Sequence, residues 1–183
     1  MQLLVASPRI NHTEHDLWRH SVILTFETQS GHMGFIMNQA VANIDHDNIS
    51  SLYGVGRLPV NRVYCGGPVL TQRCTILHTP EYSVSGTKRV GESAAITFNT
   101  SIVEDIVSGR GPENYKIMLG FCQWRRGQLD QETAQTGGWL TVPATPLIWG
   151  NYKRKDKLWR RACESGALLA TDAFLNTVGT QAY

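Results

Sequence analysis

The sequence lacks several features that would assign a protein quickly to a class. No apolar segment approaches the roughly 18–20 residues that a membrane-spanning helix needs, and residues 1–10 have neither the positive start nor the long apolar core of a secretory signal. Only 17% of the 183 residues are charged, and the formal net charge is +2. We therefore expect a cytoplasmic globular protein that forms one domain over residues 1–183, because this length lies within the usual range of roughly 100–200 residues.

Paired cysteines are also missing. The sequence contains Cys65, Cys74, Cys122 and Cys163, and none of them forms a CxxC motif. This spacing excludes a zinc ribbon and a thioredoxin-type redox motif, and we expect free thiols. Cys65 precedes two glycines, where a thiol could serve as a nucleophile, but a half-buried structural thiol is the favoured interpretation.

Candidate metal ligands are few and scattered. His12 and His15 are three residues apart, and the segment DHDN at 45–48 could supply oxygen ligands. Both groups have the character of surface loops or helix starts, so we predict no metal site. No phosphate-loop or other motif predicts a bound cofactor.

Positive charge is concentrated near the C-terminal end. The residues after Asn151 carry a formal charge of +3, whereas all those before them sum to −1. Such a run usually forms the solvated face of a helix, although contact with nucleic acid through phosphate groups is an alternative. The candidate contacts for that alternative are Lys153, Arg154, Lys157, Arg160 and Arg161.

Hydrophobic patterning predicts more strands than helices. Strands are expected at 3–6, 20–27, 35–38, 74–79, 94–99, 115–121 and 139–142, with a longer hairpin loop at 29–34. The segment 62–69 begins as a further strand that breaks at the glycines and proline at 66–68. Helices are expected at 43–53, from 100 or 101 to 107, from 128 to the glycines at 137–138, and at 155–169. Because several strands follow one another directly, the pattern indicates an α+β fold.

A set of short motifs occurs in a fixed order along the chain. They are LLVASP (3–8), SVILTFE with GHMGFIMNQ (21–39), GGPV (66–69), ILHTP (76–80), GRGP (109–112), LGFCQWRRGQLDQE (119–132) and WLTVPA (139–144). Together these motifs resemble the bacterial AlgH/YqgE family over about residues 3–169. The resemblance implies a single domain with a branched, partly barrel-like β-sheet flanked by helices. The family's transcriptional-regulator label implies a regulatory role, but no helix-turn-helix pattern or other DNA-reading signature occurs here.

Polar and aromatic residues within these motifs are the candidates for a site. We predict a cleft that binds a small molecule and is lined by Asn38, Gly66, Gly67, Pro68, His78, Trp124, Gln128, Glu132 and Trp139. Aromatic walls with a few oriented polar groups are typical of ligand sites.

Structural roles compete with this interpretation. The two glycines could form a tight turn, the imidazole of His78 could satisfy backbone groups, and Glu132 could anchor a loop. The motifs supply no coherent pair of nucleophile and base, so the prediction is a non-catalytic ligand-binding or regulatory module. The alternative is a hydrolase in which His78 or Glu132 activates water. The oligomeric state is not predicted.

Overall fold

The computed structural model describes residues 1–7, 17–42, 51, 62–99, 101–136, 138–152 and 154–179. The helix predicted at 43–53 lies outside the described residues except for Ser51. The histidines at 12 and 15, the DHDN segment and Lys153 lie outside them as well.

The described part of the chain contains nine strands, and all of them belong to one sheet. The strands are β1 (Gln2–Ala6), β2 (Val22–Thr28), β3 (Gly31–Ile36), β4 (Val63–Cys65), β5 (Val69–His78), β6 (Lys88–Arg89), β7 (Ala95–Thr97), β8 (Tyr115–Arg125) and β9 (Trp139–Pro143). Their order is β6-β7-β5-β8-β3-β2-β1-β9, and β4 pairs with β8 outside this path. The β4–β8 pair is parallel and the others are antiparallel.

The sheet branches at β8, which is longer than predicted. Its first half pairs with β4 and β5, and its second half pairs with β3. Gly120 lies between the halves with φ +69°. A Cβ atom there would lie 2.5 Å from the carbonyl oxygen of Gly67 and 2.8 Å from that of Val69. The strand therefore continues through the branch because glycine allows both the positive φ and the close approach of two backbones.

Three α-helices have bounds within the described residues, and they flank the sheet. They are α1 (Ser101–Val107), α2 (Gln128–Thr136) and α3 (Lys155–Gly179), and a 3-10 helix at Pro146–Trp149 precedes α3. Leu158 and Ala162 are fully or almost fully buried in the main core, and Trp159 and Cys163 pack against it. These four residues have helical spacing and form an apolar stripe, and α3 extends ten residues beyond the predicted end at 169.

Two details of the prediction are wrong. The hairpin has a two-residue connection, because β2 ends at Thr28 and β3 already begins at Gly31. The glycines at 31 and 34 therefore lie within a strand, where the φ of +138° at Gly31 and a close neighbouring backbone require a residue without a side chain. In addition, β5 begins at Val69 and is irregular between Val69 and Cys74.

The fold class is confirmed. The strands form a strongly curled, mostly antiparallel half-barrel with a branch at β8, and helices cover its flanks. Three clusters of buried side chains form the core, and the largest includes Leu3, Phe35, Tyr64 and Met118.

Candidate functional site

The segment at the end of β8 and the start of α2 forms a closed hydrogen-bond chain. Trp124 is 5% exposed, and its Nε1 donates to Oε2 of Glu132 at 3.0 Å. Gln128 donates from Nε2 to Oε1 of the same carboxylate at 2.9 Å, and its Oε1 accepts from the backbone N–H of Arg125 at 3.1 Å. Trp139 packs against the core cluster that contains Trp124. The structure thus brings these four predicted site residues into one region.

This arrangement joins a strand to a helix. Gln128 and Glu132 are one helical turn apart, so both side chains return toward the end of β8. Each carboxylate oxygen of Glu132 accepts a hydrogen bond from the protein itself, and the indole of Trp124 is buried. The polar groups of this cluster therefore satisfy one another and fix the turn at 126–127.

The residues Gly66, Gly67 and Pro68 lie at the branch of the sheet. The N–H of Gly66 donates to the carbonyl oxygen of Leu119 at 2.8 Å, and its own oxygen accepts from the N–H of Ile36 at 2.9 Å. Cβ atoms at Gly66 and Gly67 would lie 2.3 Å from backbone atoms of β8. Both glycines are buried against the strand, whereas Pro68 is exposed. The backbone of this glycine turn thus packs directly against the backbone of β8.

His78 lies at the opposite end of β8, opposite Tyr115 in the β5–β8 register. Its ring is fully buried, with Nδ1 2.8 Å from the carbonyl oxygen of Thr79 and Nε2 2.8 Å from Oγ1 of Thr97. Burial lowers the pKa of His78 below its usual 6.5. A neutral ring that donates from Nδ1 and accepts from the Thr97 hydroxyl satisfies both contacts. No carboxylate contacts this ring in the part of the chain that the structure describes.

The predicted residues therefore do not surround one cleft. Trp124 lies nine residues beyond Tyr115 on β8, which corresponds to a strand path of roughly 30 Å between the indole and the region of His78. The glycine turn lies between them at the branch. His78 thus lies beside the start of β8, the glycine turn beside its middle, and Trp124 near its end.

Asn38 lies in a different place, beneath the start of α3. It is 2% exposed, and its Oδ1 accepts from the N–H of Val22 at 3.0 Å. Its Nδ2 donates to the carbonyl oxygens of His20 and Lys155, each at 2.7 Å. Both amide hydrogens of Asn38 are thus used to join the turn at 17–20 to the first residue of the helix.

Directly beside these contacts is a pocket of about 730 Å³, which we call the cationic pocket. It opens between the turn at 17–20, the residue that follows Asn38, and the first turns of α3. Four lining side chains are cationic, namely Arg19, Arg154, Lys155 and Arg160. The remaining lining residues are Leu17, His20, Gln39 and Asp156.

Positive charge dominates the cationic pocket. Four cations face one carboxylate, and burial together with the charge of Arg19 lowers the pKa of His20 below 6.5, so the imidazole is neutral at pH 7. Asp156 accepts two hydrogen bonds from Arg154 at 3.1 and 2.9 Å and lies 3.4 Å from Nε of Arg160. The hydrogen bonds from Arg154 hold the pKa of Asp156 below its usual value. The formal charge of the pocket is therefore +3.

One carboxylate orients two guanidinium groups in this pocket. The side chains of Arg154 and Arg160 are 72% and 69% exposed, so both remain accessible while paired with Asp156. Arg19 forms no ion pair within the described residues, and Nζ of Lys155 donates to the carbonyl oxygen of Leu17 at 2.7 Å. Guanidinium groups held in this way are suited to bidentate recognition of phosphate or carboxylate.

A second buried residue supports the same region from below. Lys116 on β8 is fully buried and donates to the carbonyl oxygens of Met37 and Gly150 at 3.3 and 3.1 Å. Its Nζ lies 3.8 Å from the centroid of the Tyr64 ring, a cation–π contact. Lys116 thus links the end of β3 to the chain that leads into α3, as Asn38 does closer to the pocket.

The basic segment is divided between two surfaces. Arg154 and Arg160 line the cationic pocket, whereas Lys157 and Arg161 are exposed on α3 and do not line it. Sequence reasoning identified the basic segment but missed Arg19 and His20, which lie more than 130 residues earlier in the chain. No motif or spacing in the sequence connects these two residues with the basic segment.

Other chemistry finds less support in the described residues. No group of three or more His, Cys, Asp or Glu side chains there is arranged to hold a metal ion, and no helix there is long and apolar enough to cross a membrane. Cys65 is half-buried, and burial raises the pKa of Cys122, which disfavours its thiolate.

Comparisons with known proteins agree on one family. The family model described as AlgH-like (DUF179) matches residues 3–168. A UPF0301 protein of Methylococcus capsulatus is 30% identical over 171 residues, which covers 91% of each chain. A UPF0301 protein of Rhodospirillum rubrum is 36% identical over 139 residues, covering 74% of this chain and 72% of the relative.

Two solved structures resemble the fold. The solution structure of the AlgH protein from Pseudomonas aeruginosa has a TM-score of 0.69 and 28% identity, covering 88% of this chain and 86% of the other. The crystal structure of protein DIP2367 from Corynebacterium diphtheriae has a TM-score of 0.63 and 21% identity, covering 86% and 82%, and it supports the fold alone. None of these names states a reaction or a ligand.

Proposed function

Given that the chain belongs to the AlgH-like family, we propose that it is a non-catalytic binding module that holds a small anionic ligand in the cationic pocket. The observation that carries this proposal is the convergence of four cationic side chains with one carboxylate at a pocket of about 730 Å³. Pockets of roughly 300–1,000 Å³ accommodate small ligands. We expect this binding to serve a regulatory role in the cytoplasm.

The geometry favours binding over hydrolysis. A hydrolase would need a base that reaches an accessible water, whereas His78 is buried with both ring nitrogens engaged by Thr79 and Thr97. Both carboxylate oxygens of Glu132 accept hydrogen bonds from neighbouring side chains. These contacts support a structural role for His78 and Glu132, and they argue against either residue as a catalytic base.

Contact with nucleic acid is the second candidate function, because Lys157 and Arg161 extend the positive surface along α3 beyond the pocket. A phosphate backbone would use both surfaces, whereas a small anion would use only the pocket. The two candidates therefore predict different effects of neutralising each half of the basic segment. Binding to a nucleic acid would also weaken steeply as salt is raised.

A thermal-shift experiment with paired variants tests the proposal. We expect pyrophosphate and citrate to raise the Tm of the wild-type chain and of the Lys157→Ala/Arg161→Ala control. Neither anion should stabilise the Arg19→Ala/Arg160→Ala variant, which removes the same charge from the pocket. All these residues are exposed, so the substitutions themselves should change stability little.

The outcome separates the candidates. Equal stabilisation of the two double variants, or none of the wild type, would contradict a small-anion site in the pocket. A mobility-shift assay with single-stranded DNA at low salt tests the other candidate. If the wild-type chain binds this DNA and the Lys157→Ala/Arg161→Ala variant does not, the nucleic-acid function is favoured instead.

A further inference from the structure

The charge of the cationic pocket limits what fills it. The pocket carries a formal charge of +3 from Arg19, Arg154, Lys155, Arg160 and Asp156. One terminal phosphoryl group carries roughly −1.5 to −2 at pH 7, which leaves part of this charge uncompensated. Two linked phosphoryl groups compensate nearly all of it. A diphosphate thus matches the pocket better than a monophosphate or a single carboxylate.

The size and lining of the pocket leave room for more than a diphosphate. It is an open depression with a volume of about 730 Å³, which lies in the range of small-ligand sites. Leu17 and His20 contribute apolar and aromatic surface to the same lining. A bare inorganic anion makes no use of such surface, whereas a ligand with an organic ring attached to its phosphates does.

His20 is built as part of a rigid aromatic wall. Its ring centroid lies 4.5 Å from that of Trp159, with an angle of 37° between the planes. The indole of Trp159 is itself fixed, because its Nε1 donates to the carbonyl oxygen of Ala6 at 2.7 Å. His20 has a φ of +54°, uncommon for a residue with a side chain, and Asn38 holds its carbonyl group. Such local strain often occurs at ligand sites.

From these features we propose that the cationic pocket binds a nucleoside diphosphate, with the two phosphates on the guanidinium groups of Arg19, Arg154 and Arg160 and the base against His20. This inference rests on the proposed function and names the ligand class for the same pocket. Stacking of a base on an aromatic side chain is tolerant of base identity, so the pocket selects a nucleoside diphosphate as a class.

Isothermal titration calorimetry on the full chain tests the ligand class, with ADP, pyrophosphate and adenosine as probes. We expect ADP to bind about fivefold or more tightly than pyrophosphate, because the base adds stacking to the same phosphate contacts. Adenosine alone should bind far more weakly than either. Arg160→Ala should weaken ADP about tenfold, because it removes a charge-assisted contact. Arg161→Ala, on the same helix but outside the pocket, is the matched control.

The variant His20→Asn tests the aromatic wall. Asparagine tolerates a positive φ, so the turn is retained while the ring is removed. ADP affinity should fall to that of pyrophosphate, and pyrophosphate affinity should stay unchanged. The ligand comparison in the wild-type chain decides the same question independently if His20→Asn does not fold.

Three results would overturn the inference. Equal affinities of ADP and pyrophosphate for the wild-type chain would refute the nucleoside part and leave the anion-binding function standing. Equal weakening of ADP by Arg160→Ala and Arg161→Ala would place the ligand outside the pocket. Absence of binding by both ADP and pyrophosphate would refute the nucleoside diphosphate and the anion-binding function together.

Discussion

The replacement of Lys116 by methionine tests how the interior of this protein holds a lysine. Lys116 is fully buried, and its ammonium group contacts two backbone carbonyl oxygens and the face of Tyr64. Burial lowers its pKa from 10.5 to about 7. In the unfolded chain the pKa returns to its usual value. Between pH 7 and 10.5 the unfolded state therefore binds more protons than the folded state does.

The sign of the pH dependence follows from this difference. Because the folded pKa is lowered, the free energy of unfolding rises with pH across the window from about 7 to 10.5. The rise is at most about 1.4 kcal/mol per pH unit and roughly 5 kcal/mol in full. Well below pH 7 the lysine is protonated in both states, and its contribution no longer changes. From pH 7 to pH 9 the gain for the wild-type chain is roughly 2–3 kcal/mol.

Lys116→Met removes this dependence while retaining an unbranched side chain of similar length. It relieves the desolvation of the amine, but it leaves the carbonyl groups of Met37 and Gly150 without their donor, at about 1–3 kcal/mol each. These effects oppose each other near pH 7. As pH rises to 9, the stability of the wild-type chain relative to the variant should increase by roughly 2–3 kcal/mol.

Urea unfolding at pH 7, 8 and 9 in the presence of a reductant measures this difference. Tyrosines and cysteines titrate in both proteins, so their contributions cancel when the two unfolding free energies are subtracted. Lys88→Met is the control, because it makes the same replacement at an exposed position on β6. If the curves for the wild type and Lys116→Met run parallel from pH 7 to 9, the pKa of the buried amine is not lowered and the reasoning fails.

Three further predictions concern the fold around the branch, the start of α3 and the start of α2. Gly120→Ala should lower the free energy of unfolding by more than about 3 kcal/mol or prevent folding, because its Cβ would lie 2.5 Å from a backbone oxygen. Gly127→Ala, which has a positive φ but open space around its Cβ, should lower it by about 1 kcal/mol. Equal losses in urea unfolding would contradict crowding at the branch. Asn38→Ala removes three buried hydrogen bonds and should cost about 3 kcal/mol in the same assay, and a loss below about 1 kcal/mol would mean that water replaces the amide. Glu132→Ala and Trp124→Phe each remove one partner of the hydrogen bond between Trp124 and Glu132, and they should show a coupling of about 1 kcal/mol in a double-mutant cycle. Additive losses would mean that this hydrogen bond does not contribute to the stability of the fold.

Local patterns predicted the parts of this molecule whose partners are near in sequence. Trp124, Gln128 and Glu132 lie within nine residues, and helical spacing alone indicates that the last two share a face. The structure joins all three by hydrogen bonds. The apolar stripe of α3 is equally local. In both cases the period of the helix determines which side chains meet, so no knowledge of the wider fold is needed.

Partners distant in sequence account for what the patterns missed. Lys116 lies in the apolar run of a predicted central strand, but its acceptors are 79 and 34 residues away. Neither spacing nor composition indicates that carbonyl groups of Met37 and Gly150 converge there. The cationic pocket was missed for the same reason. The turn at 17–20 is distant from α3 in the sequence, and these two segments meet only in the folded protein.

The motifs that identify the family and the residues of the cationic pocket are largely different. Gly66, Gly67 and Gly120 satisfy a steric requirement, because three backbones approach one another at the branch and any Cβ atom would collide there. His78 and Asn38 use their polar atoms on neighbouring groups of the protein. The fold itself therefore accounts for these residues without a ligand. Of the residues that line the cationic pocket only Gln39 belongs to one of the motifs, so the motifs that carry the family resemblance do not by themselves predict this pocket.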